Sequence, residues 1–202
     1  MLTARGIALL LALSAALVLA GAREASDASD SNSGRVHVQV AHGSRPTGGT
    51  FALSGTRTVR HGRFRFCYSL ARQVSRSHGT IAYALRGCLP GVPGPHAIRG
   101  NSGYSCYKDE LEVAGGVTAR ATRVEVELSR GRHARAHVYD VPDRLGFRGN
   151  FFVRIVRTGA PDIDDMHAAA IRAFDDHGRT LGTQRFPSGG SDSWGCFAPP
   201  PY

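Results

Sequence analysis

The chain of 202 residues is 42% hydrophobic, 20% charged and 8% aromatic, with 25 Gly and 10 Pro. That is a soluble, turn-rich globular composition, and it excludes a multi-span membrane protein, a coiled coil and a collagen-like repeat. Lys and Arg number 25 against 16 Asp and Glu, a net charge of +9, and the excess is unevenly placed: Met1–Asp30 carries −1, Ser31–Lys108 carries +11 with no acidic residue, and Asp109–Tyr202 returns to −1.

The N-terminus reads as an export signal. Arg5 precedes an apolar run, Ile7–Leu19, interrupted only by Ser14, and Ala20-Gly21-Ala22 supplies small residues at a cleavage position. About thirteen apolar residues are too few to span a hydrocarbon core of about 30 Å. Residues 1–22 are therefore predicted to be a signal peptide, whose removal leaves an exported domain of charge +8 and no stable membrane span. Residues 23–34 are Ser/Asp-rich and read as a flexible linker. The folded domain is expected over 35–197, with a Pro-rich tail at 198–202.

Export gives the four cysteines a meaning. An even count of widely spaced Cys outside the cytoplasm points to disulfides, and no CxxC or CxxH spacing points to zinc. Cys67–Cys88 with Cys106–Cys196 is the favoured pairing, because the second bond would anchor the tail. Cys88–Cys106 with Cys67–Cys196 is the rival.

Most of the chain alternates with period two. Val36, Val38 and Val40 form the first such run, then Phe64, Phe66, Tyr68 and Leu70. Ile81, Tyr83 and Leu85 follow, then Val124, Val126 and Leu128, and finally Phe151, Val153 and Ile155. This is the pattern of half-buried antiparallel strands. Arg132–Val141 alternates in the same way. The best helix candidate is Asp164–Phe174, with a strand over Ala169–Phe174 as its equal, and Asp175–Gly178 reads as a hairpin loop. Leu89–Gly103, with three Pro and four Gly, is predicted to be a long ordered loop. Eight or nine strands at this spacing predict an all-β, antiparallel, immunoglobulin-like sandwich stabilised by disulfides. The Cys-Trp-Cys signature of immunoglobulin domains is missing, since Trp194 is the only Trp.

Over Glu112–Phe186, a strand beginning near Gly115 and Gly116 leads to Val124 and Val126. An FF strand at Phe151 and Phe152 follows, and then a closing hairpin with Asp176, Gly178, Arg179, Leu181 and Gly182. The stretch resembles a β-sandwich module of uncharacterised exported proteins of high-GC actinobacteria. The resemblance implies an exported β-sandwich and brings no activity or catalytic residues with it.

Candidate chemistry is sparse. His133 and His137 lie about 13 Å apart along a strand, too far to share one ion, and His37 and His42 have opposite parity. Asp162, Asp164 and Asp165 beside His167 lack the Gly and bidentate Glu of a calcium loop. No G-x-S-x-G elbow, P-loop or dinucleotide fingerprint occurs, so no catalytic residue, metal or cofactor is assigned. Arg148–Ile155 resembles an RNA-recognition octamer. Asn150 and Ile155 replace its outer aromatics, however, and export argues against nucleic acid. Phe151 is expected in the core and Phe152 against a partner or loop layer. Arg57, Arg60, Arg63 and Arg65 form the strongest cluster. Arg63 and Arg65 share a strand face, with Phe64 and Phe66 expected in the core. Such a row suits phosphate or carboxylate polymers of a cell envelope. The functional expectation is an exported, non-catalytic envelope or extracellular module that binds anionic polymer. An extracellular hydrolase is the alternative.

Overall fold

Eleven antiparallel strands and no α-helix make up the described part of the computed structural model, which covers residues 34–60, 62–73, 84–104, 110–157 and 166–187. Strands β1 (Val36–Ser44), β2 (Thr50–Arg60), β3 (Arg63–Gln73) and β4 (Ala84–Cys88) form a four-stranded sheet in sequence order. The other seven are β5 (Ile98–Tyr104), β6 (Glu110–Thr118), β7 (Arg123–Leu128), β8 (His133–Asp140), β9 (Gly149–Arg157), β10 (Ala168–Phe174) and β11 (Thr180–Arg185). They form one sheet in the order β11-β10-β7-β8-β9-β6-β5. With β7-β8-β9 consecutive, β10 returns beside β7 and β6 lies beside β9, which is Greek-key connectivity. Among the described residues no helix is long and apolar enough to cross a membrane. The signal expected at 1–22 and the tail at 198–202 lie outside the described residues.

The sequence alternation becomes two separate cores. On β7, Val124, Val126 and Leu128 are buried while Arg123, Glu125 and Glu127 are half-exposed. They pack with Phe152, Ile171 and Val113 inside the curled seven-stranded sheet. Phe151 and Val153 on the other face of β9 pack with Leu53, Leu70 and Leu85 of the four-stranded sheet. Strand β6 is buried along almost its whole length because it is covered on both faces, and its second half, Ala114–Val117, accordingly shows no polar alternation. The prediction for Phe152 needs correction: it fills the core inside the curled sheet, and the layer covering it belongs to this chain.

The seven-stranded sheet is nearly closed. The edge strands β5 and β11 meet through one side chain: Gln184 Nε2 donates to the Gly100 carbonyl at 2.9 Å, and Gly100 N donates to Gln184 Oε1 at 2.9 Å. The amide thus takes the place of a peptide group in the ladder. Close approach on the neighbouring strand requires a glycine. A Cβ at Gly115 would meet the Arg99 carbonyl, lie 2.6 Å from Gly100 Cα and 2.7 Å from the Phe152 ring.

Several expectations change. The strand count is eleven, not eight or nine, and the sheets divide four and seven. The likeness to an immunoglobulin sandwich therefore extends only to antiparallel strands facing each other across a core. Ala168–Phe174 is a strand and not part of a helix, because it pairs with both β7 and β11. Asp164 lies outside the described residues. The predicted loop Leu89–Gly103 contains most of β5; its glycines mark crowding, since a Cβ at Gly100 would press on the Ala114 carbonyl and the Phe152 ring. The Cys67–Cys88 disulfide is present, between residues opposite each other on β3 and β4. Cys106 and Cys196 lie outside the described residues.

Candidate functional site

Cross-strand partners share a sheet face, so the register places the predicted arginines. Thr58 faces Arg65, and Arg60 faces Arg63 in the backbone ladder. These positions share the outer face with Cys67 and Ser69, and Arg86 of β4 lies opposite Ser69. Arg63, Arg65 and Arg86 are all exposed there. His37, opposite Thr56, extends this face onto β1, with its Nδ1 and Thr56 Oγ1 sharing a 3.1 Å hydrogen bond. The whole four-stranded sheet contains no acidic residue.

Arg57 is separated from this row. It is opposite Phe66 on the inner face, and its guanidinium lies over the Phe64 ring at 5.2 Å. The prediction that Phe64 is a core residue fails: it is 63% exposed. Hairpin β2–β3 runs beyond the body it packs against, so the aromatic series from Tyr68 (buried) through Phe66 (half-buried) ends at Phe64 in solvent. Phe64 and Phe66 form one wall of an open groove of about 940 Å³, with the loop Leu89–Pro93 opposite and Arg65 and Arg148 also lining it.

A buried ionic cluster joins the two sheets and escaped the sequence reading. Arg45, in the β1–β2 turn, is folded under the sheet end by a tight connection: Gly48 N donates to the Arg45 carbonyl, and Gly48 and Gly49 have φ of 95° and 78°. Its guanidinium bridges Glu110 and Glu112, with Nε 2.9 Å from Glu110 Oε2. Thr47 N donates to Glu110 Oε1 at 3.0 Å and the Thr47 hydroxyl at 2.6 Å. Arg45 and Glu110 side chains are fully buried. Burial pushes the Glu112 carboxyl above its ordinary range; Arg45 opposes this and Glu110 adds to it. Burial alone would lower the Arg45 guanidinium, but Glu112 and then Glu110 together hold it above its usual value. A signal existed: Glu110 and Glu112 alternate with Leu111 and Val113, so two carboxylates share a strand face that is otherwise apolar. Their partner lies 65 residues away, in a turn that gives no sign of facing inward.

The cluster is a structural ion pair: both Glu110 oxygens and Glu112 Oε1 are engaged by Arg45 or Thr47. Asp175, Asp176 and His177 are the one group among the described residues whose ligand atoms could converge on a metal. Asp175, however, is committed to the hairpin. Its oxygens accept from His177 N at 3.0 Å, Arg179 N at 2.8 Å and Arg179 Nε at 2.9 Å. Burial opposes its ionisation, but the Arg179 amide and guanidinium outweigh that and hold the carboxyl below its ordinary range. Asp162, Asp164 and Asp165 lie outside the described residues. In the RNA-octamer segment, Phe151 and Phe152 are both 0% exposed and present no face for stacking. Searches of family models, of curated proteins and of solved structures find no match to this chain.

Proposed function

We propose that the protein is a non-catalytic, extracytoplasmic module that binds an anionic polymer of the cell envelope through the outer face of its four-stranded sheet. The observation that carries this reading is the exposure of Arg63, Arg65 and Arg86 on a sheet with no carboxylate of its own. Among the described residues, the first acidic side chains after the sheet in sequence, Glu110 and Glu112, are turned inward and paired with Arg45, so they do not screen that face. A flat guanidinium row suits repeated phosphates or carboxylates, each met by forked N–H pairs. The N-terminal apolar run, the resemblance over Glu112–Phe186 and the Cys67–Cys88 bond support an exported setting. For the hydrolase alternative, one cavity brings together Ser44, His137 and Tyr139, but among the described residues no acidic side chain lines it to orient the imidazole.

The test is retention on immobilised polyphosphate and polygalacturonate. Retention should fall steeply by about 0.5 M salt, where screening is nearly complete, and in the R60Q/R63Q/R65Q variant. Retention unchanged by either treatment would overturn the reading.

A further inference from the structure

Strand β8 changes partner midway. Val124–Glu127 of β7 pairs with its first half, His133–Ala136, and β9 pairs with its second half, His137–Asp140. The last β9 residue opposite β8 on that side is Val153, facing His137. The next residue, Arg154, therefore stands where the two strands part. Two cavities, of about 430 and 540 Å³, lie against this seam and share His137 and Arg154 in their walls.

The larger of the two is also lined by Thr122 and Arg135. The smaller is lined by Ser44, Arg45 and Tyr139, with Phe51, Val153 and Ile155 as apolar walls. Among the described residues no acidic side chain lines either cavity. Two guanidinium nitrogens here are buried without a hydrogen-bond partner in the protein: Arg154 Nε and Arg45 Nη1. Burying such donors unmet is costly, and they are rare in folded proteins. The Tyr139 phenol, raised above its ordinary value by burial, also lines the smaller cavity. The charge of Arg45 is already met by Glu110 and Glu112, and Arg135 lies opposite Glu125 in the ladder, so the unsatisfied donor at the seam belongs to Arg154.

We infer that the seam at Arg154 binds a small organic oxyanion, a carboxylate or phosphate ester carrying a compact apolar body. The oxyanion accepts from the half-exposed Arg154 guanidinium, and the body lies on Phe51, Val153 and Ile155. A volume of a few hundred Å³ with a few convergent donors suits such a ligand. This site is independent of the polymer-binding face, with which it shares no residue.

The test is titration of the oxidised, purified protein with benzoate, phenyl phosphate and the neutral isostere benzamide. Heat release would be followed by calorimetry, and the His137 ring resonances by NMR. Benzoate or phenyl phosphate should bind and shift the His137 signals, and whichever binds more tightly identifies the head group. Benzamide should bind at least about tenfold more weakly, as expected for loss of a charge-assisted bond. R154Q should lose a similar factor. R154K keeps the charge without the Nε donor and is expected to lose part of it, which guards against misfolding of the first variant. R154Q should leave polyphosphate retention unchanged, and R60Q/R63Q/R65Q should leave benzoate binding unchanged, so the two readings fail separately. Equal binding of benzamide and benzoate, no binding of either anion, or wild-type affinity in R154Q and R154K would overturn the inference.

Discussion

Arg45 carries more of the fold than any other charged side chain described. It reaches from a turn of the four-stranded sheet to two carboxylates on β6, and Thr47 completes the coordination of Glu110. Removing one partner of a buried pair leaves the other charges uncompensated, which costs about 3–5 kcal/mol. R45Q is expected to lose stability in that range in urea unfolding, with Glu110 and Glu112 left facing each other. Glu112 gives the same cluster a pH signature. Its carboxyl lies above the ordinary range in the folded state. Its contribution is therefore fully present below about pH 4, the unfolded value, and is lost as pH rises through the folded value. E112Q mimics the protonated form, so the stability of E112Q relative to wild type should grow as pH rises through that value. Urea midpoints at several pH values check this; a difference constant with pH would show that burying this carboxyl has no net cost.

At the scale of elements, edge strand β4 is only five residues long and contributes one buried side chain of the core, Leu85, with Leu89 just beyond it. Few contacts hold such a strand, and the Cys67–Cys88 bond closes 21 residues of chain between β3 and β4. A loop of that length corresponds to about 3 kcal/mol through restriction of the unfolded chain. C67A/C88A is expected to lower stability by about that amount, with faster amide exchange concentrated in Leu85–Cys88. The alternation of Phe64, Phe66, Tyr68 and Leu70 assigned all four to one face correctly, and the register bears this out. It could not show that the opposing sheet ends before Phe64. Whether a residue on an apolar face is buried depends on what lies across from it, and that is a long-range property.

At the scale of the whole molecule, two cores share the strands β6 and β9, and the adjacent residues Phe151 and Phe152 fill one each. The outer core ties the four-stranded sheet to the curled sheet, and the inner core holds the curl. Its seam is closed by Gln184 alone among the side chains described as bonding to β5 backbone from β11. Q184A should cost about 1–2 kcal/mol for two part-buried hydrogen bonds. Exchange of the Gly100 amide should accelerate well before global unfolding. If Gly100 stays protected in Q184A, backbone packing rather than the amide closes the sheet.

What the amino-acid sequence determined by itself is local: period-two runs that read as strands, four cysteines that read as disulfide-forming, and a charge excess confined to Ser31–Lys108. Turn chemistry and alternation act over a few residues and need no partner to be read. The tertiary structure alone decided which faces are covered, that Arg45 meets carboxylates far along the chain, and that Arg154 stands at the parting of β8 and β9. Those outcomes depend on how two sheets stack and where one strand changes partner, and no short stretch of sequence encodes either.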